Sequence, residues 1–138
     1  MKQESSITVP AQTGRLDEVL TFAGGAARDA GLDIKQLNNV SIAVEEIFVN
    51  IAHYAYPSGE GDVTVSVTVS QDRLTIEFRD SGTPYDPLAK TDPDTSLSAD
   101  EREIGGLGVF MVKKLMDGVS YRYEDGKNIL TMFKDISS

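Results

Sequence analysis

The sequence has no cysteine and no tryptophan, and it has a single histidine, His53. The lack of cysteine excludes disulfides, zinc sites with thiolate ligands and a cysteine nucleophile. One histidine cannot form a polyhistidine metal site. No apolar run reaches the roughly 20 residues that span a bilayer, and the start MKQESS lacks the apolar core of a signal peptide. We therefore expect a cytoplasmic protein that does not insert into a membrane.

Positive charge is also scarce in this chain. Lys and Arg number 13 against 22 Asp and Glu, which gives a formal net charge of −9. Such a balance disfavours a surface that binds nucleic acid or anionic lipid. The length of 138 residues, with 40% hydrophobic residues, is typical of one domain, so we expect a single domain over residues 1–138.

Hydrophobic periodicity predicts an α+β fold. The clearest signal is strict alternation from Val63 to Val69, where valines alternate with Thr and Ser. Gly31 is the expected end of the first helix, with Thr13 or Asp17 near its N-cap. The partial segregation of strands and helices favours one mixed sheet with helices on one face. The predicted elements are a strand at 6–9, helices at 13–30 and 35–56, strands at 63–70 and 74–78, a helix at 107–117, and strands at 119–123 and 128–134.

The second predicted helix carries the first candidate pair, Glu46 and Asn50. Four residues apart, they point to the same side of the helix, whereas Glu45 points away and is expected to be solvated. The pair borders an apolar stripe to which Ile42 belongs. A carboxylate beside apolar neighbours can act as a general base, and an amide oxygen suits Mg²⁺. Taken alone, the same pattern also fits an ordinary helix surface. The other members of the stripe are Leu37, Val40, Val44, Ile47, Ile51 and Tyr54.

The segment DSGTP follows the second strand of the first predicted hairpin. The Asp80 carboxylate there could accept a hydrogen bond from an exocyclic amine, and Gly82 would let a flat ring approach the backbone. Asp, Ser, Gly and Pro are also common turn residues, so for this segment taken alone a simple strand-terminating turn is the favoured interpretation.

The third candidate motif is Gly105-Gly106-Leu107-Gly108 at the start of a predicted helix. Backbone N–H groups at a helix start, without side chains in the way, can hold an anion. It is not a Walker A loop, because no Lys-Ser or Lys-Thr follows at the required spacing. The preceding stretch 91–103 has five acidic residues and one arginine. Phosphates beside it would therefore need a divalent cation, and a flexible hinge is the alternative reading of the glycines.

These three motifs, in this order, together resemble the GHKL (Bergerat) ATP-binding fold, a two-layer α/β sandwich. Locally the sequence is similar to the anti-sigma-factor serine kinases of bacterial partner-switching modules, of the RsbW and SpoIIAB type. The segments VEEIFVNIAHYAY, DSGTPYDPLAK and GGLGVFMVKKLMDGVSYRY look like the three boxes of that branch. The similarity runs from about residue 37 to 133.

The resemblance implies roles for the residues of the second helix and of the last strand. Glu46 matches the general base that takes a proton from a partner's serine. Asn50 matches the Mg²⁺ ligand, and His53 stands where a phosphate contact is common, although a buried structural histidine is equally compatible. Thr131 matches a hydroxyl that assists at the adenine.

The resemblance also implies the remaining nucleotide contacts. Asp80 matches the acid that recognises the adenine amine, followed by Gly82 and by Pro84, where the wider superfamily has a second glycine. The phosphate turn is Gly105, Gly106, Leu107, Gly108 and Val109, and the ATP lid covers about residues 90–105.

The implied function is ATP- and Mg²⁺-dependent serine phosphorylation of an anti-sigma-factor antagonist by a protein that also sequesters a sigma factor. The branch typically forms homodimers through sheet surfaces. The alternative is a module that binds ATP and traps a partner without phosphotransfer. A histidine-kinase catalytic fragment is disfavoured, because these residues contain no dimerisation helix pair with a phospho-acceptor histidine.

Overall fold

The computed structural model describes residues 3–57, 60–86 and 106–136, without the side chains of 106–110. Its helices and strands confirm the predicted α+β fold. The sheet was expected to be mixed and mainly antiparallel, and every described strand pair is antiparallel, so the described strands include no parallel pair. The sheet order is β1-β2-β3-β5-β4. The elements are β1 (Gln3–Pro10), a 3₁₀ turn (Thr13–Arg15), α1 (Leu16–Asp29), α2 (Ile34–Tyr54), β2 (Asp62–Val69), β3 (Arg73–Asp80), α3 (Gly106–Leu115), β4 (Gly118–Glu124) and β5 (Lys127–Asp135).

The first helix differs from its prediction at the N-terminus. Residues Thr13–Arg15 form a 3₁₀ turn, and no side chain caps either this turn or α1. The expected cap at Thr13 or Asp17 is therefore wrong. At the other end, Gly31 has φ of 97°, which confirms that a glycine in the left-handed region follows the helix.

The second helix has a well-defined start and an earlier end than predicted. The Asp33 carboxylate accepts from the Gln36 backbone N–H at 2.8 Å, and the Gln36 side chain accepts from the Asp33 N–H at 3.1 Å. This capping box satisfies two N–H groups that lack partners within the helix. The last helical residue is Tyr54 rather than Tyr56, because the chain turns at Ala55 toward the end of β3.

One face of the sheet packs against the helices and the other does not. In β2 the valines at 63, 65 and 67 are fully buried, while the Thr and Ser between them are partly exposed. In the central strands Phe78 is paired with Leu130 and Ile76 with Met132 on the same buried face. The helices contribute Val19, Ala23, Ala27, Val40, Ala43, Val44, Ile47 and Phe48 to this core.

Two apolar positions of α2 differ from the predicted stripe. Ile42 is 43% exposed, so its assignment to the buried face is wrong. Phe48 is fully buried instead, because α2 is covered on a broader arc by the sheet, α1 and α3. Ile42 consequently lies on the solvent side of the helix, one turn before Glu46.

The terminal hairpin and the helices complete the expected arrangement. Asp125 and Gly126 both have positive φ, 55° and 77°, as a two-residue hairpin turn between twisted strands requires. Among the described residues, no helix combines the length and the apolar character needed to cross a bilayer.

We expect Asp33→Ala to lower the free energy of unfolding by about 1 kcal/mol, because the capping box loses its acceptor. Urea unfolding followed by circular dichroism measures this change. Asp33→Asn keeps a side-chain oxygen at the cap and should retain most of the stability. Equal losses in the two variants would show that the cap is not the cause.

Candidate nucleotide site

A pocket lies between α2 and the adjoining ends of β3 and β5. It contains about 390 Å³ of empty space, its open mouth included. Its floor is apolar, and its polar groups come from three separate parts of the chain. The lining residues are Ile47, Asn50, Ile51, Tyr54, Ala55, Phe78, Asp80, Thr83, Tyr85, Tyr121, Asn128 and Leu130.

The buried Asp80 carboxylate is held at the end of β3 by two hydrogen bonds to one oxygen. Asp80 is 5% exposed, and its Oδ1 accepts from the Gly82 N–H and from Asn128 Nδ2, both at 2.9 Å. The second bond crosses the β3–β5 ladder, where the two residues are direct register partners. The sheet therefore places a carboxylate against an amide inside the pocket.

Asn128 also holds the turn that follows β3. Its Nδ2 donates to the Thr83 carbonyl at 2.9 Å and, at 3.4 Å, to the Gly82 carbonyl. Its Oδ1 accepts from the Tyr85 N–H at 3.1 Å and from the Tyr121 hydroxyl. Sequence reasoning missed this residue. Its alternation with Leu130 and Met132 on a strand facing the helices was the available signal, since a polar residue on an apolar face needs partners.

Gly82 is required by a close approach of two backbone segments. A Cβ there would lie 2.1 Å from the Ala55 carbonyl oxygen, which accepts the Thr83 N–H at 2.7 Å. The absence of a side chain thus lets the turn after β3 contact the C-terminus of α2. The expectation that Gly82 also lets a flat ring approach the backbone stays a prediction.

Tyrosines lie in and beside the pocket, and one of them holds the turn after β3. The rings of Tyr54 and Tyr85 stack, with centroids 5.5 Å apart. The Tyr56 hydroxyl donates to the Asp62 carbonyl at 2.6 Å and accepts the Ser81 N–H at 2.9 Å. These two bonds tie the segment after α2 to the start of β2 and to the turn after β3. Burial is the largest cause of the raised pKa of Tyr56.

Asn50 presents an amide to the pocket from α2. It is 6% exposed, and its Nδ2 has no hydrogen-bond partner among the described residues. A buried amide group without a partner costs free energy of about 1–3 kcal/mol. Asn50 is thus a polar group suited to a ligand.

Glu46 lies one helical turn before Asn50 and outside the set of residues that line the pocket. It is half-buried, whereas Glu45 is exposed as expected. Burial raises the pKa of Glu46 above its ordinary value, and the neighbouring Glu45 carboxylate raises it further. A carboxylate with a raised pKa binds a proton more readily than an ordinary one, which is a property of general bases.

Thr131 is not brought to the pocket. It follows Leu130 on β5, so its side chain lies on the opposite face of the sheet, with Glu77 and Arg79. The expected role of Thr131 at the adenine therefore has no geometric support. Asn128, on the same strand, lies on the pocket face.

His53 and Pro84 lie beside the pocket and do not line it. His53 is exposed, so the reading of a buried structural histidine is wrong; its ring centroid lies 6.2 Å from that of Tyr54. Pro84 is an exposed residue in the turn after β3. Phosphate contact by His53 stays a prediction.

The glycine-rich turn is described only from Gly106 onward. Helix α3 begins at Gly106, so its first turn consists of Gly106, Leu107, Gly108 and Val109. The helix packs against α2. This confirms that a helix opens at the glycines. Gly105 and the expected lid at about 90–105 lie outside the described residues.

A divalent ion would have few protein ligands here. The described residues contain no cluster of three or more His, Cys, Asp or Glu side chains that could hold a metal ion. The unpartnered atom of Asn50 is Nδ2, a hydrogen-bond donor that suits a phosphate oxygen and cannot bind a cation. The residues therefore fit Mg²⁺ carried by phosphate oxygens rather than a preformed metal site.

Comparison with known sequences identifies the family. The sequence model of the histidine kinase-like ATPase domain matches residues 9–134, and the chain belongs to that family. Similar curated proteins include the serine-protein kinase RsbW of Listeria monocytogenes serovar 1/2a, 27% identical over 135 residues, which cover 94% of this chain and 86% of the relative. RsbW of Bacillus cereus strain B4264 is 24% identical over 132 residues, covering 93% and 82% respectively.

A solved structure has the same fold. The crystal structure of the RsbU and RsbW domains of a Mycobacterium tuberculosis protein matches with a TM-score of 0.71 at 14% identity. The match covers 99% of this chain and 33% of the other, so this chain spans about a third of that larger protein. The antiparallel sheet with helices on one face is thus a fold that this chain shares with that structure.

We expect Gly82→Ala to destabilise the protein by about 1–3 kcal/mol, because the new Cβ would meet the Ala55 carbonyl, which is backbone and cannot swing away. Denaturant unfolding measures the loss. Gly24→Ala, in the interior of α1 with open space around it, is the matched control and should stabilise by up to about 1 kcal/mol. An unchanged midpoint for Gly82→Ala would contradict the close approach.

Proposed function

We propose that this chain is a cytoplasmic serine-protein kinase of a bacterial partner-switching module. In this proposal residues 1–138 form one domain that binds ATP, phosphorylates a serine of an anti-sigma-factor antagonist, and also acts as an anti-sigma factor. The observation that carries it is the buried Asp80 carboxylate in an apolar pocket below a helix that bears Glu46 and Asn50. The kinase names of the relatives, which cover most of the chain, support the same conclusion.

Adenine is the ligand part that suits the buried end of the pocket. Its flat rings are apolar on their faces, and its exocyclic amine is a hydrogen-bond donor. Asp80 is an acceptor at the inner end, and the floor of Ile47, Phe78 and Leu130 is apolar. A charged acceptor discriminates strongly, because an analogue without the donor leaves a buried carboxylate unpaired.

The triphosphate is assigned to the end of the site near Asn50 and the first turn of α3. Backbone N–H groups at a helix start and the Asn50 amide are suitable partners for phosphate oxygens and their counter-ion. Gly105, Gly106, Leu107, Gly108 and Val109 form the proposed phosphate turn, and His53 is a further candidate contact. Mg²⁺, when bound, neutralises phosphate charge and restricts phosphate geometry.

Glu46 is the proposed general base. The serine oxygen of the partner forms a bond to the γ-phosphorus, the bond from that phosphorus to the bridging oxygen of ADP breaks, and the serine proton passes to the Glu46 carboxylate. Most of the rate enhancement in such a transfer comes from positioning and charge neutralisation. A binding module without phosphotransfer would not need this carboxylate, so Glu46 separates the two candidate functions.

Homodimerisation is proposed through the sheet. The outer face of β2 carries Thr64, Ser66 and Thr68, which are uncharged and only partly exposed. These three residues add no charge repulsion between two copies. Analytical ultracentrifugation of the protein over a range of concentrations measures the oligomeric state. A protein that stays monomeric at all concentrations would contradict this part of the proposal.

We expect Glu46→Gln to abolish phosphotransfer to the antagonist while ATP affinity stays within a few-fold, because the amide cannot accept the serine proton. Labelled ATP with Mg²⁺ and the antagonist-like protein encoded nearby measures transfer, and calorimetry measures binding. Glu18→Gln, an exposed carboxylate on α1, is the control. Wild-type protein that binds ATP yet labels no cognate antagonist would favour the pure binding module.

The acidic limb of the pH–rate profile should move to lower pH in Glu45→Gln. The Glu45 charge contributes to the raised pKa of Glu46, so its removal lowers that pKa and the base becomes ionised at lower pH. The rate on the plateau should fall modestly, because a weaker base accepts the proton less readily. An unmoved limb in a profile of single-turnover transfer would show that Glu46 does not control it.

A further inference from the structure

The hydrogen-bonding capacity of Asn128 is used entirely within the protein. Its amide has two N–H groups, which donate to Asp80 Oδ1 and to the Thr83 carbonyl, with a longer contact to the Gly82 carbonyl. Its oxygen accepts from the Tyr85 N–H and the Tyr121 hydroxyl. An Asn side chain supports about four such bonds, so none remains for a ligand. Asn128 can act on a bound nucleotide only through its neighbours.

The surroundings fix which way the Asn128 amide points. Carbonyl and carboxylate oxygens surround Nδ2, and the Tyr85 backbone N–H, which can only donate, faces Oδ1. A flipped amide would place oxygen against oxygen at Asp80 and N–H against N–H at Tyr85. Burial also raises the pKa of Tyr121, which keeps its hydroxyl protonated and able to donate.

The amide in turn fixes the orientation of the Asp80 carboxylate. Oδ1 receives two bonds, from Asn128 Nδ2 and from the Gly82 N–H. Among the described residues, none donates to Oδ2. A carboxylate held by one oxygen has its second oxygen at a defined position, so the acceptor offered to a ligand is directional rather than freely rotating.

We propose that Asn128, held by Tyr121, is a positioning residue that aligns Asp80 for the exocyclic amine of adenine and thereby sets the preference for ATP over 6-oxo purine nucleotides. This rests on the proposed nucleotide binding and adds to it a residue and a selectivity. A 6-oxo purine presents an acceptor where adenine presents a donor, so a well-aligned carboxylate attracts the one and repels the other. A misaligned carboxylate distinguishes them less.

The test measures affinity for ATP and for inosine triphosphate by calorimetry, each with Mg²⁺. We expect wild type to prefer ATP by tenfold or more, on the order of one hydrogen bond to a charged group. In Asn128→Ala, ATP affinity should fall about tenfold while inosine triphosphate affinity changes by less than about threefold, because the amine contact is the one that is lost. The ratio between the nucleotides is therefore the readout.

A milder variant guards against loss of the fold. Tyr121→Phe keeps the ring and removes the hydroxyl that Asn128 accepts, and it should reduce the ATP preference by about threefold with an unchanged unfolding midpoint. Tyr123→Phe is the matched control, a tyrosine on the same strand whose ring is 47% exposed. It should leave both affinities unchanged. If Asn128→Ala unfolds, the Tyr121→Phe ratio decides.

The outcomes separate this inference from the proposed function. Binding of neither nucleotide by wild type overturns both. A wild-type preference for ATP that survives in the variants, or a loss of equal size for both nucleotides, overturns the positioning role and leaves ATP binding intact. A wild type without preference overturns the selectivity. A ratio that falls in Tyr121→Phe and not in Tyr123→Phe supports the inference.

Discussion

The hydrogen bond between Asp80 and Asn128 joins the sheet to the pocket, and the rest of the site depends on it. The antiparallel register of β3 and β5 makes these two residues direct partners, both nearly free of solvent. Neither could be buried alone without a large cost, because an unpaired polar group loses its hydration. Their pairing lets the turn after β3 fold back over the end of α2, where Gly82 and Thr83 meet Ala55. The shape of the pocket therefore depends on the hydrogen bonds that join the ends of β3 and β5.

The fold was largely predictable from the sequence because its signals are local. Alternation in β2, helical spacing in α2 and the glycine after α1 each fix one element with neighbours a few residues away. The predictions were wrong where the burial or the boundary of an element depends on residues outside it. The sequence of α2 does not determine which part of its surface the sheet covers, and Ile42 lies outside that part. The missing cap at α1 reflects the 3₁₀ turn that leads into the helix.

The candidate site was predictable as motifs and less so as geometry. Asp80 and Asn50 line the pocket, and Glu46 lies on the adjoining turn, since spacing on one helix and position at a strand end carry that information. The motifs did not correctly predict which residue of β5 faces the pocket, Thr131 or Asn128. They are three residues apart on one strand, so their side chains lie on opposite faces of the sheet. An error of one residue in assigning the faces of a strand puts a side chain on the wrong face. The alternation of Asn128 with the apolar Leu130 and Met132 was the signal that places Asn128, and not Thr131, on the pocket face.

The unpartnered amide of Asn50 has a consequence for the lifetime of the protein. A fold that keeps a buried polar group unsatisfied gains stability from any molecule that satisfies it, by thermodynamic linkage between binding and unfolding. Under the proposed function, ADP and ATP both supply such a molecule. The resistance of this chain to proteolysis would then rise with the concentration of ADP and ATP around it.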